Sequence, residues 1–187
     1  VERILAHRFA TLHARMQTDG NVIVDVGASS VEDFLERMAA WRGSHEDFDL
    51  WVVPVVRSRK QQHDTINTLK ALRAMGVPAQ RVRVVFNWME HRETIEDDFE
   101  VICALGNGEY FALRPEAKLM YNEVYDRIKG TGRTLSDVVR DDTDYKAMIQ
   151  AAATQAERHD AAAKLAIKRL AAGAQDNLDQ VYAALTT

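Results

Sequence analysis

Apolar residues recur along this chain with two different periods. Ile4, Leu5, Phe9, Leu12 and Met16 fall three and four residues apart, so residues 2–16 predict an opening helix. Asp19-Gly20-Asn21 is a turn signal. Val22 to Val26 (VIVDV) is then a short apolar run of the buried-strand type. Ser29 and Glu32 have capping-box spacing, in which a serine side chain holds backbone N–H groups at a helix start. The helix that follows carries Val31, Phe34, Leu35 and Met38 as its apolar stripe and ends between Trp41 and Gly43. Leu50 to Val56 predicts a second strand. Pro54 inside it has no N–H for a ladder, which predicts a bulge or the strand's end. Ser58 and Gln61 give another capping box. Ile66, Leu69, Leu72 and Met75 line the next helix, and Gly76-Val77-Pro78 stops it. Val82 to Phe86 predicts a third strand ending at Asn87.

Three strand–helix alternations with long connections predict an α/β fold: a mainly parallel sheet covered by helices. Its crossovers are right-handed. The strand ends Asp25, Val56 and Asn87 then face one edge, the carboxyl edge at which open α/β sheets bind ligands. Further on, residues 94–105 predict helix, Tyr110 to Leu113 a short strand, and Glu116 to Lys129 a helix. Gly130-Thr131-Gly132 is a turn. Asp144 to Ala172 predicts a long Ala-rich helix, interrupted by Gly173 before a last helix with Leu178, Val181, Tyr182 and Leu185. No repeat or linker splits the chain. Residues 141–187 are expected to pack as C-terminal helices on a domain of residues 1–140, a single domain in all.

Composition narrows the class. With 187 residues, 47% of them hydrophobic and 28% charged, the chain has a core to bury and is neither disordered nor collagenous. A net charge of −4 excludes a uniformly basic nucleic-acid binder, so any such contact comes from a local patch. Residues 51–83 carry seven Lys or Arg against Asp64 alone, whereas residues 90–100 carry six acids against Arg92. The ordinary reading is solvated faces; the functional one is a basic surface meeting phosphates. Cys103 is the only cysteine, so no internal disulfide exists and a reducing cytoplasm fits. No apolar run reaches the roughly 18–20 residues of a membrane span. The chain begins at Val, already inside a helical pattern, which reads as the later part of a longer polypeptide.

The strongest chemical signal is VIVDVG, residues 22–27. A carboxylate ending a buried strand and followed by Gly is the Walker-B arrangement, in which Asp holds a phosphate-bound Mg²⁺, often through water. The Gly lets a backbone N–H approach the terminal phosphate. Singly, such an Asp is commonly a turn former or cap. The second signal is VVFN, residues 84–87, whose Asn offers one acceptor and two donors to a purine edge; turn and capping roles are its commoner use. The expected companion, G-x-x-x-x-G-K-[ST], is absent from residues 1–187. The six histidines show no metal spacing. Asp141, Asp142 and Asp144 form an acidic knot that binds a cation or, with Thr143, caps the long helix. Cys103, beside Phe99 and Ile102, reads as core.

The stretches NVIVDVGASSVEDFLERM, SHEDFDLWVVPVVRSRKQQHDTINTLKAL and VPAQRVRVVFNWME together resemble the StbB family of plasmid stability proteins, which is similar to the ParA/MinD class of P-loop ATPases. The resemblance is closest over residues 21–90 and looser to the C-terminus. It implies an ATP- and Mg²⁺-dependent dimerisation switch in the cytoplasm, associated with the nucleoid, acting with a DNA-binding adaptor protein of a plasmid stability operon or directly on nonspecific DNA. It gives Asp25 the Walker-B and Mg²⁺ position, Gly27 the γ-phosphate switch position, and Asn87 the adenine contact. Leu113, Arg114 and Pro115 match the segment that packs against the base. Arg57, Arg59, Lys60, Lys70 and Arg73 are the candidate DNA or partner surface. The family's Walker-A loop with its two lysines has no counterpart here and is expected ahead of Val1; a chain without it is expected to be inactive as an ATPase. Two other classes stay open: a noncatalytic interaction module on the same fold, and a different α/β enzyme using Asp25 as base or metal ligand.

Overall fold

The computed structural model describes residues 8–106 and 108–186. Ile4 and Leu5, assigned above to the opening helix, lie outside the described residues. The elements run α1 (Phe9–Thr18), α2 (Val31–Ala40), β1 (Trp51–Val55), α3 (Arg59–Ala74), β2 (Val82–Met89), α4 (Ile95–Asp98), α5 (Glu100–Leu105), β3 (Lys118–Met120), α6 (Val124–Ile128), α7 (Leu135–Val139), α8 (Tyr145–Ala151) and α9 (Gln155–Thr186). The fold is α/β, with a three-stranded parallel sheet in the order β1-β2-β3. Two compact units divide the chain. The first is Val1–Val85 with Thr94–Arg114, the second Phe86–Glu93 with Pro115–Thr187. Residues 141–187 thus belong with 115–140 to one unit.

In the first unit, Phe9, Phe34 and Met38 form a core joined by half-buried Leu12, Val24, Val26, Phe48, Trp51 and Met75. Helix α3 packs on β1 and buries Leu69 and Leu72 to 1% exposure. Pro54 stays within β1, since β1 is an edge strand and can spare an N–H. Gly76 ends α3 at φ +91°, where a side chain would strain the backbone. The Val77 N–H donates to the Leu72 carbonyl at 3.1 Å and the Gly76 N–H to the Arg73 carbonyl at 2.9 Å, the two bonds of a Schellman stop.

Val22 to Val26 is not a strand. None of its backbone groups is hydrogen-bonded among the described residues. It keeps the alternation of a strand: Val24 and Val26 lean on the Phe9 cluster while Ile23 is 96% exposed. Apolar character sets which side chains turn inward; a ladder also needs a neighbouring backbone. Asp25 therefore ends an unpaired segment rather than a buried strand.

Two further departures follow. In the first unit Tyr110 to Leu113 forms no strand, and in the second the third strand is Lys118–Met120, inside the span read as helix. Pairing decides it: β3 runs parallel to β2 with Phe86 opposite Lys118 and Met89 opposite Met120, and the Phe86 N–H donates to the Ala117 carbonyl at 2.9 Å. Helix α9 runs unbroken through Gly173, packing along β3, α6, α7 and α8. One helical glycine costs about 1 kcal/mol, less than burying Ala161, Ala171, Ala174 and Val181 returns. The break falls instead at residues 152–154. There the Thr154 hydroxyl accepts the Glu157 N–H at 3.2 Å, and the Glu157 carboxylate accepts the Thr154 N–H at 3.1 Å. Thr134 and Asp137 open α7 with a second such box. The predicted boxes do not form: Ser29 sits in a 3-10 turn ahead of α2, and Ser58 makes no side-chain cap bond. Asp144 does cap α8, accepting the Ala147 N–H at 3.0 Å.

Candidate functional site

In the first unit, the Asp25 side chain is exposed and has no hydrogen bond or ion pair among the described residues. Gly27 has φ −60° and ψ 142°, and a Cβ added there meets nothing within 4 Å. Neither conformation nor packing asks for glycine at this position, and its backbone N–H has no hydrogen-bond partner among the described residues.

The five cations proposed for a DNA or partner surface lie at the start of and along α3 and divide into two sets. Arg57 pairs with Asp98 at 3.0 Å, and Arg73 pairs with Glu109 while lying 4.8 Å over the Tyr110 ring. The Arg73 guanidinium is held above its ordinary pKa, first by Tyr110 and then by Glu109. Arg59, Lys60 and Lys70 are exposed and make no ion pair among the described residues. Two of them occupy the first turn of α3, which holds no acid. Cations there oppose the helix dipole, so helix stability does not explain them. Gln62 is structural: its amide donates to the Arg57 and Asp98 carbonyls, each at 2.9 Å.

Leu113 and Arg114 are half-buried and precede β3 rather than following a strand. The Arg114 Nε is buried without a hydrogen-bond partner among the described residues. Nearby Arg83, only 8% exposed, donates to the Gln80 carbonyl at 2.5 Å, and burial, then Arg114, lowers its pKa. Sequence reasoning passed over Arg83 as one more surface cation. Pro115 is exposed and lies ahead of the first β2–β3 rung, whereas Asn87 lies beyond it.

Asn87 sits in the second unit, half-buried, and β2 continues two residues past it. Between the two rungs β2 spends three residues where β3 spends two, so Asn87 and Trp88 form a bulge. Trp88 takes φ +61°, the one non-glycine positive φ among the described residues. Its ring lies 6.3 Å from that of Tyr121 with planes 25° apart. The Tyr121 N–H donates to the Met89 carbonyl at 2.8 Å, fixing the loop after β3 to the end of β2. Past these strand ends a cavity of about 260 Å³ is lined by Met89, Glu90, His91, Arg92 and Tyr121. The Glu93 carboxylate folds back to accept the Glu90 N–H at 2.9 Å. Of this group only Asn87 was singled out from sequence; the signal available for the rest was a tryptophan next to the expected strand end.

Among the described residues no cluster of three His, Cys, Asp or Glu is placed to hold a metal ion. In the acidic knot Asp141 accepts from the Thr143 N–H, the Tyr145 hydroxyl and Arg133, and Asp144 caps α8. Cys103 is half-buried, its thiol pushed up first by burial and then by Glu96. No described helix is long and apolar enough to cross a membrane. Comparison with models of protein families, with curated proteins and with solved structures gives no match.

Proposed function

We propose that this chain belongs to a ParA/MinD-like, ATP-dependent switch for plasmid stability. The observation that carries the reading is Asn87, a half-buried amide in the bulge of β2, two residues before Met89, which lines the cavity beyond the carboxyl ends of β2 and β3. Open parallel sheets take nucleotides at that edge, and an amide with two donors and one acceptor suits the edge of a purine. Support also comes from residues the fold leaves unused. Asp25 has the free carboxylate that one ligand position of a hydrated Mg²⁺ requires, and Gly27 an open N–H for a phosphate. Mg²⁺, when bound, supplies charge neutralisation of the phosphates. Residues 1–187 contain no phosphate-loop pattern, and the contacts they offer are one to the base, one to a metal-bound water and one backbone donor. Arg59, Lys60 and Lys70 offer an exposed basic face to nonspecific DNA or to a DNA-binding adaptor protein.

The test uses the full-length gene product, with ATP binding, Mg²⁺-dependent hydrolysis, dimerisation and plasmid retention as readouts. Asp25→Ala is expected to abolish hydrolysis with unchanged circular dichroism. Asn87→Ala is expected to weaken ATP binding about tenfold, as loss of a hydrogen-bonding side chain at a base does. A wild-type protein that neither binds ATP nor affects plasmid retention overturns the reading.

A further inference from the structure

We infer that Trp88 and Tyr121 form a stacking face for the purine ring of a bound nucleotide. The inference rests on the nucleotide reading above and adds the group that selects the base. A left-handed backbone is unfavourable for a bulky L-residue, yet Trp88 adopts φ +61°. Burial does not offset this, because the indole is 65% exposed. Outliers of this kind collect at ligand sites, where the strain holds a group in place for binding.

The surroundings are built for a flat ring. Tyr121 is 46% exposed, and its plane lies within 25° of the indole. The β2–β3 register and the Tyr121–Met89 hydrogen bond hold both residues at the same strand ends. The adjoining cavity of about 260 Å³ is smaller than the roughly 300–1,000 Å³ of pockets that enclose a whole drug-sized ligand. It admits a ring and leaves sugar and phosphates outside. Its rim carries an acceptor, the Glu90 carboxylate, and a donor, the Arg92 guanidinium. The two are 3.9 Å apart and largely solvated, so neither is locked to the other. A purine presents donors and acceptors together on its edges. A protein partner fits less well: the exposed apolar surface is two rings, and the rim around them is charged.

The test titrates the full-length gene product with ATP, GTP, CTP and UTP in the presence of Mg²⁺, comparing wild type with Trp88→Asn. Asparagine tolerates the left-handed backbone, so this variant removes the ring and relieves the strain together. Wild type is expected to bind purine nucleotides about tenfold tighter than pyrimidine ones, the larger ring stacking more. Trp88→Asn is expected to lose that preference, its purine affinity falling about tenfold while CTP and UTP change less than about twofold. Purine affinity unchanged in Trp88→Asn overturns the inference and leaves the nucleotide reading standing. No purine preference in wild type overturns the inference and takes the Asn87 base contact with it. Loss of adaptor-protein binding alone, with purine binding intact, reassigns the aromatic face to a protein interface. A wild-type protein that binds none of the four removes the nucleotide reading, and the inference with it.

Discussion

Asn177 of α9 hydrogen-bonds Met120 of β3 as a neighbouring strand would, its Oδ1 accepting the Met120 N–H at 2.8 Å. The same amide donates through Nδ2 to the Lys118 carbonyl, also at 2.8 Å. Those two backbone groups lie on the side of β3 turned away from β2, where a sheet edge otherwise stays unpaired. One side chain on a helix thus closes the edge of a three-residue strand. Asn177→Ala leaves both groups without their partner, and a part-buried donor without one costs about 1–3 kcal/mol. The expected result is a lower urea midpoint equivalent to about 2 kcal/mol. Asn177→Asp keeps the acceptor and loses the donor, so it is expected to fall between Ala and wild type. Equal midpoints for all three proteins would mean that water serves the β3 edge as well as Asn177 does.

This contact explains why β3 was illegible in the sequence. Lys118-Leu119-Met120 has no strand pattern of its own; it becomes a strand because Phe86 pairs on one side and Asn177 closes the other, 59 and 57 residues away in the two hydrogen bonds. VIVDV is the converse case, with strand-like alternation and no partner. The α3–β2 region was readable because local period and burial agree: Leu69 and Leu72 at helical spacing, then five consecutive buried residues from Val82 to Phe86. In the second unit the T-x-x-D and T-x-x-E boxes at Thr134 and Thr154 stand in the sequence; the second lies within an alanine-rich helical period that reads through it, and the first opens a helix of only five residues. At the site, Asn87 was legible as an amide near a strand end. The pairing of Trp88 with Tyr121 was not, because it follows from the bulge register between two strands, one of which was unseen.

Asp141 makes acid stability a measurable property of the second unit. Hydrogen bonds from Thr143, then Tyr145, then the Arg133 guanidinium hold its carboxyl far below the usual carboxylate range. A folded-state pKa below the unfolded one stabilises the fold at pH values above the unfolded value of about 3.9, and that contribution is lost as pH falls toward the folded value. Asp141→Asn removes the charge throughout. It is expected to lower the urea midpoint at pH 7, with the gap to wild type narrowing below about pH 4. A gap that stays constant from pH 7 to pH 3 would show that shape, not charge, is what Asp141 contributes.

Gly173 is a place where the chain can be made more stable. It lies inside the continuous helix α9, and a Cβ built on it meets nothing within 4 Å. Alanine in a helix interior is favoured over glycine by about 0.5–1 kcal/mol through the smaller entropy lost on folding. Gly173→Ala is expected to raise the melting temperature by a few degrees. A drop would mean that something packs against this face of α9 in the working assembly and needs the missing side chain.

Gly27 separates folding from function in one residue. Its φ of −60° is one any residue adopts, and the space around its Cβ is open. Gly27→Ala is therefore expected to stabilise the fold by about 0.4–1 kcal/mol, by narrowing the unfolded ensemble. The proposed function predicts the opposite sign for activity. A methyl group beside the N–H intended for the terminal phosphate removes or lengthens one charge-assisted hydrogen bond, worth about 1.5–3 kcal/mol, or roughly a ten- to hundredfold loss in ATP affinity. Thermal melting and nucleotide titration of the same full-length variant check both halves. A variant that melts higher and binds ATP as tightly as wild type would take Gly27 out of the phosphate site. It would also leave Asn87 and Trp88, in the second unit, to carry the nucleotide assignment alone.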